Sequence, residues 1–373
     1  MNRMTSHPSP SFRRRMTTAG SIVTLSLLAL TACGGGNSST ASGEGAASES
    51  ADGPIGVSLI VKTTTNPFFV AMQEGAEAAA DAEGVELTVA AGEEDGDEDT
   101  QIQAIENAIS KGDAGILITP NGPAVEDALA KARDAGLFVI ALDTPPSDPE
   151  AADITFATDN FVAGQEIGKW TASKLAGEKA TIAMIDLFDD KIVSVDYNRD
   201  QGFLDGMGID TADAEKNGDE EKAGSYSGGE YEIVGNEASQ GAEDGGRTAA
   251  ETLLSANPDI NVVYTINEPA AYGAYEAFKA AGKEDVIVVS IDGGCAGVGQ
   301  VDEGIIGATS QQYPVKMAEL GVQAIAELVE TGEAPKPTDG KDFFDTGVAL
   351  VTNEPQDGLE SIDAAAASDI CWG

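Results

Sequence analysis

The sequence predicts an α/β protein of two doubly wound, parallel-sheet lobes, on three observations. Short β-branched runs alternate with longer Ala-rich segments of helical period, the βαβ rhythm of parallel sheets covered on both faces. That rhythm runs to about residue 143 and begins again near residue 154. The 373 residues also exceed what one compact core usually holds.

The first 32 residues read as a leader. Arg13, Arg14 and Arg15 precede an apolar run, Ile22 to Leu30, that ends at "LTAC", and the run is too short to span a bilayer. "LTAC" resembles a bacterial lipobox, which makes Cys33 the acylated first residue of the mature chain. Residues 33–54, rich in Gly, Ser and Ala, then form a flexible tether. The expected location is the cell membrane, lipid-anchored on its extracellular or periplasmic face, with no spanning helix.

In the first series, "IGVSLIV" (55–61) is a strand followed by a helix that Pro67 opens. "VELTVAA" precedes a helix near 100–111, "GILIT" one from about 123 to 135, and "LFVIALD" closes the series. The second series begins at "ITFATDN" (154–160) with a helix from Val162, then "ATIAMIDL" and a helix near 197–207. "YEIVG" leads to a helix near 242–255, "NVVYTI" to one near 269–281, and "VIVVSID" follows. Residues 211–230, charged and rich in Gly and Ser, read as a surface insertion. "GEEDGDEDT" (92–100) fails the calcium-loop template at its first two and closing positions and reads as a solvated acidic turn. No phosphate-cradling P-loop pattern occurs.

Composition removes several enzyme classes. The one histidine, His7, lies in the leader, so neither a nucleophile–histidine triad nor a His/Cys zinc site can be built in the mature chain. No metal or cofactor is expected. With 64 Asp and Glu against 21 Lys and Arg, a net charge of −43 repels nucleic acid. After Cys33 the remaining thiols are Cys295 and Cys371, an even pair in an oxidising compartment, and a disulfide is expected.

Ligands of open parallel sheets sit beyond the carboxyl ends of the strands. Those positions hold Asn66, Phe68 and Phe69, then Asp143, Asn267 with Glu268, Asp292, and Gln311 with Gln312, while Arg199 heads a helix. Carboxylates, amides and a guanidinium match the paired hydroxyls of a sugar, and aromatic rings cover its C–H face. Each also has a structural reading. Asn66 before Pro67 and Asn267 before Glu268-Pro269 fit helix N-caps, Phe68 and Phe69 fit a core, and Asp143 and Asp292 fit turns. Arg199 could pair with Asp196 or Asp200. Trp170 is expected in the second lobe's core, and Trp372 as an anchor of the tail.

The segments "TTTNPFF", "ILITPNGPAV", "VIALDT", "FATDNFVAGQEIG", "NRDQGF", "VVYTINEPAAYGA", "VSIDGG" and "GATSQQYP" resemble, in that order, those of type I periplasmic binding proteins. The resemblance is to the ribose/fructose group of ABC-importer sugar receptors and covers essentially residues 55–350. It implies a three-crossing hinge, with crossings near 158–160, 310–313 and 341–346. It implies an amino-terminal lobe of 55–158 plus 313–343 and a carboxyl-terminal lobe of 159–312 plus 344–373. Asn66, Phe68, Phe69, Asp143, Arg199, Asn267, Asp292 and Gln312 fall on the group's sugar positions. The chain departs from ribose receptors at Thr144, where they carry arginine, and near Gly241, where they carry an aromatic. "DDKIVSVDYNRDQGFLDGMGID", "SIDGGCAGV" and "CWG" look more like fructose receptors, so the implied ligand is D-fructose, with ribose, mannose or xylose behind it. The implied partners are ABC permease subunits, and the implied state is a monomer. A sensor feeding a chemoreceptor or kinase, and an enzyme using Asp143 and Asp292 as a glycosidase pair, are the alternatives in other classes.

Overall fold

The computed structural model describes residues 53–373. The leader, His7, Cys33 and most of the tether therefore lie outside the described residues.

The first series forms β1 (Ile55–Val61), α1 (Pro67–Glu83), β2 (Val85–Ala91), α2 (Glu98–Lys111), β3 (Gly115–Ile118), α3 (Glu126–Asp134), β4 (Phe138–Leu142) and β5 (Ile154–Ala157). The chain then builds α4 (Asn160–Lys174), β6 (Ala180–Asp186), α5 (Ser194–Met207), β7 (Ala223–Ser225), β8 (Glu230–Ala238), α6 (Glu243–Ala256), β9 (Val262–Thr265), α7 (Glu268–Ala280), β10 (Ile287–Asp292), α8 (Cys295–Asp302) and β11 (Ala308–Gln311). It ends with α9 (Pro314–Thr331), β12 (Phe344–Asp345), β13 (Ala349–Val351) and α10 (Ala364–Ala367).

Two sheets result. One has the order β12-β5-β4-β3-β1-β2 and is wholly parallel; the other has the order β13-β11-β10-β9-β6-β8-β7, with antiparallel β13 and β7 at its edges. Leaving β7 aside, the two orders correspond strand for strand, so β4 of one sheet and β10 of the other hold equivalent places. Each sheet is buried on both faces, which is why its strands read as continuous apolar runs. In the first, Leu59 and Leu117 face α1 and α9, while Ile60 and Ile118 face α2 and α3.

Four glycines bring α4 and α5 together. A Cβ at Gly164, Gly168, Gly202 or Gly206 would stand 2.2 Å from a carbonyl oxygen of the facing helix, inside any real contact. Only hydrogen fits at those positions, and the backbones touch.

The chain passes between the sheets at 158–159, 312–313 and 346–348. The third passage corrects the sequence boundary at 343/344, because Phe344 and Asp345 pair with β5 and the Phe344 ring packs on Phe156 at 5.0 Å. Lys341 ties the first passage to the end of β12 through Asp159 at 2.8 Å and Asp345 at 2.5 Å.

The segment 211–230 is more than a surface insertion. Its end supplies edge strand β7, Tyr226 is buried with its hydroxyl donating to the Glu178 carbonyl at 2.7 Å, and Glu220 is buried. Glu220 lies near Asp186, Asp196 and Asp200, all buried in the second lobe. Burial, then their mutual repulsion, pushes Asp196 up to about 7 and Asp200 well above the usual carboxylate range. Asp186 is pushed up to about 6, by burial first.

Candidate functional site

Each candidate except Arg199, which lies in the second turn of α5, is placed by the start of a helix or the end of a strand. Asn66 caps α1, its Oδ1 accepting from the Phe68 amide at 2.9 Å with Pro67 in the first turn. Asn267 caps α7, its Oδ1 accepting from the Ala270 amide at 3.1 Å and its Nδ2 donating to the Gly241 carbonyl at 2.9 Å. The capping reading therefore holds for both asparagines, and both also face the cleft.

Asp143 follows β4 and Asp292 ends β10, the equivalent strands of the two sheets. Both have positive φ, 63° and 153°, a conformation that side-chain-bearing residues adopt at a cost of about 1–3 kcal/mol and that gathers at functional sites. Thr144 Oγ1 donates to Asp143 Oδ2 at 2.8 Å, while Asp143 Oδ1 is buried without a hydrogen-bond partner in the protein. Asp292 Oδ2 accepts from the Glu268 amide at 3.3 Å and its Oδ1 from Gln312 Nε2 at 3.2 Å. Burial, followed by the Glu268 charge, pushes the Asp292 carboxyl well up, and Arg199 opposes the shift.

Arg199 does not pair with Asp196 or Asp200 of its own helix. Its Nε donates to Asn160 Oδ1 at 2.8 Å and its Nη1 to the Ile266 carbonyl at 3.0 Å. These bonds aim the guanidinium between the aspartates, 3.7 Å from Asp143 Oδ1 and 3.9 Å from Asp292 Oδ1.

Phe68 and Phe69 are buried in the first lobe's core and meet edge to face at 5.3 Å. They line the cavity as well, so each ring belongs to the core and borders the cavity. Phe68 also meets Trp372 edge to face at 5.3 Å. Trp372 is held from the second lobe. Cys371 is disulfide-bonded to Cys295, the Cys295 amide donates to the Trp372 carbonyl at 2.9 Å, and the indole Nε1 donates to the Gln312 carbonyl at 2.9 Å. The tail is anchored as expected, and its ring packs on the other lobe. Trp170 is buried in the second lobe's core.

All eight candidates line one cavity of about 30 Å³. Sequence reading missed two further charged residues there, Lys62 and Asp95. Lys62 directly follows β1, so the strand-end rule could have found it. Asp95 sits in the turn read as solvated, and nothing local distinguishes it from its acidic neighbours. Burial first, then the Asp143 charge, pushes its carboxyl up against the pull of Lys62. Glu268 proves to be a brace. Its carboxylate accepts from the amides of Gly293 and Gly294 at 2.8 and 3.0 Å and from Thr309 Oγ1 at 2.8 Å, holding the loop after Asp292. Burial pushes it up to about 7. The cavity thus offers carboxylate acceptors from both lobes, a guanidinium between them, and aromatic carbon on one wall.

The sequence profile of the periplasmic binding protein domain matches residues 55–334. The chain is 28% identical over 288 residues to the ribose import binding protein RbsB of Escherichia coli, covering 76% of this chain and 89% of that one. It is 29% identical over 311 residues to the D-ribose/D-allose-binding protein of Pseudomonas aeruginosa, covering 79% and 88%. An ABC transporter solute binding protein from Agrobacterium vitis, solved with bound D-fucose, superposes with a TM-score of 0.69 at 26% identity, over 85% of this chain and 100% of that one.

Proposed function

This chain belongs to the periplasmic binding protein family, and from that premise we propose that it captures one monosaccharide between its lobes and delivers it to the permease of an ABC importer. It is a binding protein and not an enzyme. The observation that carries the ligand reading is the convergence of seven strand-end and helix-start residues from two sheets on one cavity, with Arg199 between Asp143 and Asp292.

In this reading the sugar's hydroxyl pairs donate to Asp95, Asp143 and Asp292 and accept from Arg199 and the amides, while Phe68 and Phe69 cover its apolar face. D-Fructose is the first candidate because several segments resemble fructose receptors; ribose, allose, xylose and mannose follow. The inner cavity of about 30 Å³ is smaller than a sugar, so capture starts from a more open arrangement. The ligand then shifts the open–closed equilibrium by its differential affinity for the two states. The three passages form the hinge, and a monomer with lobe faces exposed on closure suits docking to a permease. Acylation at Cys33 would hold the protein at the membrane, since no described helix is long and apolar enough to cross one.

Titration calorimetry with these five sugars tests the reading. One saturable site with Kd on the order of micromolar, about −8 kcal/mol, is expected for at least one of them. A cooperatively folded protein that binds none of the five overturns it. Metabolic labelling with a fatty acid, abolished in Cys33→Ala, tests the anchor.

A further inference from the structure

We propose that the cleft has a second sugar subsite beside the first and that the preferred ligand is a neutral saccharide of two rings, its inner ring in the site argued above. This inference rests on that reading of the inner site.

Beside the inner cavity lies a larger one of about 550 Å³, within the range of about 300–1,000 Å³ that small-molecule pockets occupy. Asn66, Asp95 and Asp292 line both cavities, so the two lie side by side and share these three residues.

Gly241 stands at the seam. A Cβ there would lie 3.0 Å from Asn267 Nδ2, 3.1 Å from Leu187 Cδ1 and 3.7 Å from Asp95 Oδ2, against three residues that line the inner cavity. The space a side chain would need is already taken by those neighbours, so glycine is the residue that fits between the two cavities. The backbone there is fixed. The Gly241 carbonyl accepts from Asn267, its amide donates to Ser239 Oγ at 3.2 Å, and the preceding Gln240 amide donates to the Leu187 carbonyl at 2.8 Å. With φ of 66° the position also disfavours most side chains.

The outer lining has the chemistry of a second sugar ring. Tyr272 and Trp372 supply aromatic surface, and the disulfide to Cys295 holds Trp372 in place. Glu94, Asp95 and Glu243 are acceptors for hydroxyl groups. Among the described residues no Lys or Arg lines this cavity, so a phosphate or carboxylate there would meet uncompensated negative charge.

The test is calorimetry on the folded mature protein with D-fructose and four fructose-bearing disaccharides, sucrose, turanose, lactulose and isomaltulose, with fructose 6-phosphate as the anionic arm. At least one disaccharide is expected to bind tenfold or more tightly than D-fructose, and the phosphate ester more weakly than D-fructose. Tyr272→Ala is expected to weaken that disaccharide at least tenfold and D-fructose less than threefold. D-Fructose binding with no disaccharide binding more tightly, or Tyr272→Ala leaving disaccharide affinity unchanged, overturns the second subsite and leaves the monosaccharide reading standing. Failure of every sugar to bind overturns both.

Discussion

Arg199 Nη2 stands 3.7 Å from Asp143 Oδ1, and the two residues belong to different lobes. Both are nearly fully buried, and Nη1 of the same guanidinium is 3.9 Å from Asp292 Oδ1. Removing one member of a buried ionic group strands the others at a cost of about 3–5 kcal/mol. The guanidinium therefore balances the acids of both lobes and remains a donor to a ligand placed among them.

Asp143→Ala and Arg199→Ala are each expected to weaken sugar binding at least tenfold, about 1.4 kcal/mol or more, measured by calorimetry. Arg199→Lys keeps the charge and loses the planar fork. It is expected to fold closer to wild type in a melting experiment while still binding more weakly. Unchanged affinity in Asp143→Ala and Arg199→Ala discards the site assignment.

The glycine contact between α4 and α5 links packing to binding, because a Cβ at Gly164 meets the Arg199 carbonyl itself. Gly164→Ala is expected to destabilise by about 1–3 kcal/mol and to weaken sugar binding by moving Arg199. Gly299→Ala, on α8 with nothing within 4 Å of the added methyl, is the control and is expected to be neutral or slightly stabilising. Denaturant midpoints and calorimetry separate the two effects.

Reduction of the Cys295–Cys371 bond, whose partners are 76 residues apart, frees a loop worth about 4 kcal/mol in the chain-entropy account. The melting temperature is expected to fall in reductant while sugar binding persists. Sugar release, followed by stopped flow, is expected to be faster, since Trp372 is no longer held against Phe68. Unchanged melting in protein whose thiols have been shown to be free argues against a stabilising bond.

Asp186, Asp196 and Asp200 bind protons more readily in the folded chain than in the unfolded one. Their stabilising contribution is complete below the unfolded carboxylate range, near pH 4; for Asp186 and Asp196 it is lost as pH rises through about 6 and about 7, and for Asp200, raised well above the usual range, it falls as pH rises. Asp200→Asn removes one member of the group. The stability difference between variant and wild type is expected to shift in the variant's favour between pH 5 and pH 8. Parallel profiles across that interval would show that Asp200 binds no more protons in the folded chain than in the unfolded one.

The parts of the site that sequence disclosed are those written in local grammar. Asn-Pro and Asn-Glu-Pro mark helix starts, and a β-branched run ending in Asp or Gln marks a strand end, so every candidate but Arg199 could be named from neighbours within a few residues; Arg199 lies in the second turn of α5, a helix that starts at Ser194, earlier than its sequence pattern announces. Fold class was legible for the same reason. What stayed hidden depends on distant partners. Phe68 and Trp372 meet across most of the chain, Asp95 is turned inward by a fold that brings Lys62 and Asp143 near it, and β7 exists because β8 offers it an edge. The place of Phe344 was likewise decided by pairing with β5, which no nearby residue announces.

The four glycines between α4 and α5 also bear on how knowledge of this molecule can be carried to other chains. A sequence could match every ligand-facing residue named above and still hold its two helices further apart if a single methyl stood at one of those four places. Its guanidinium would then approach the cleft from a different height. Whether another protein shares this binding preference should therefore be judged first at positions that no sugar touches.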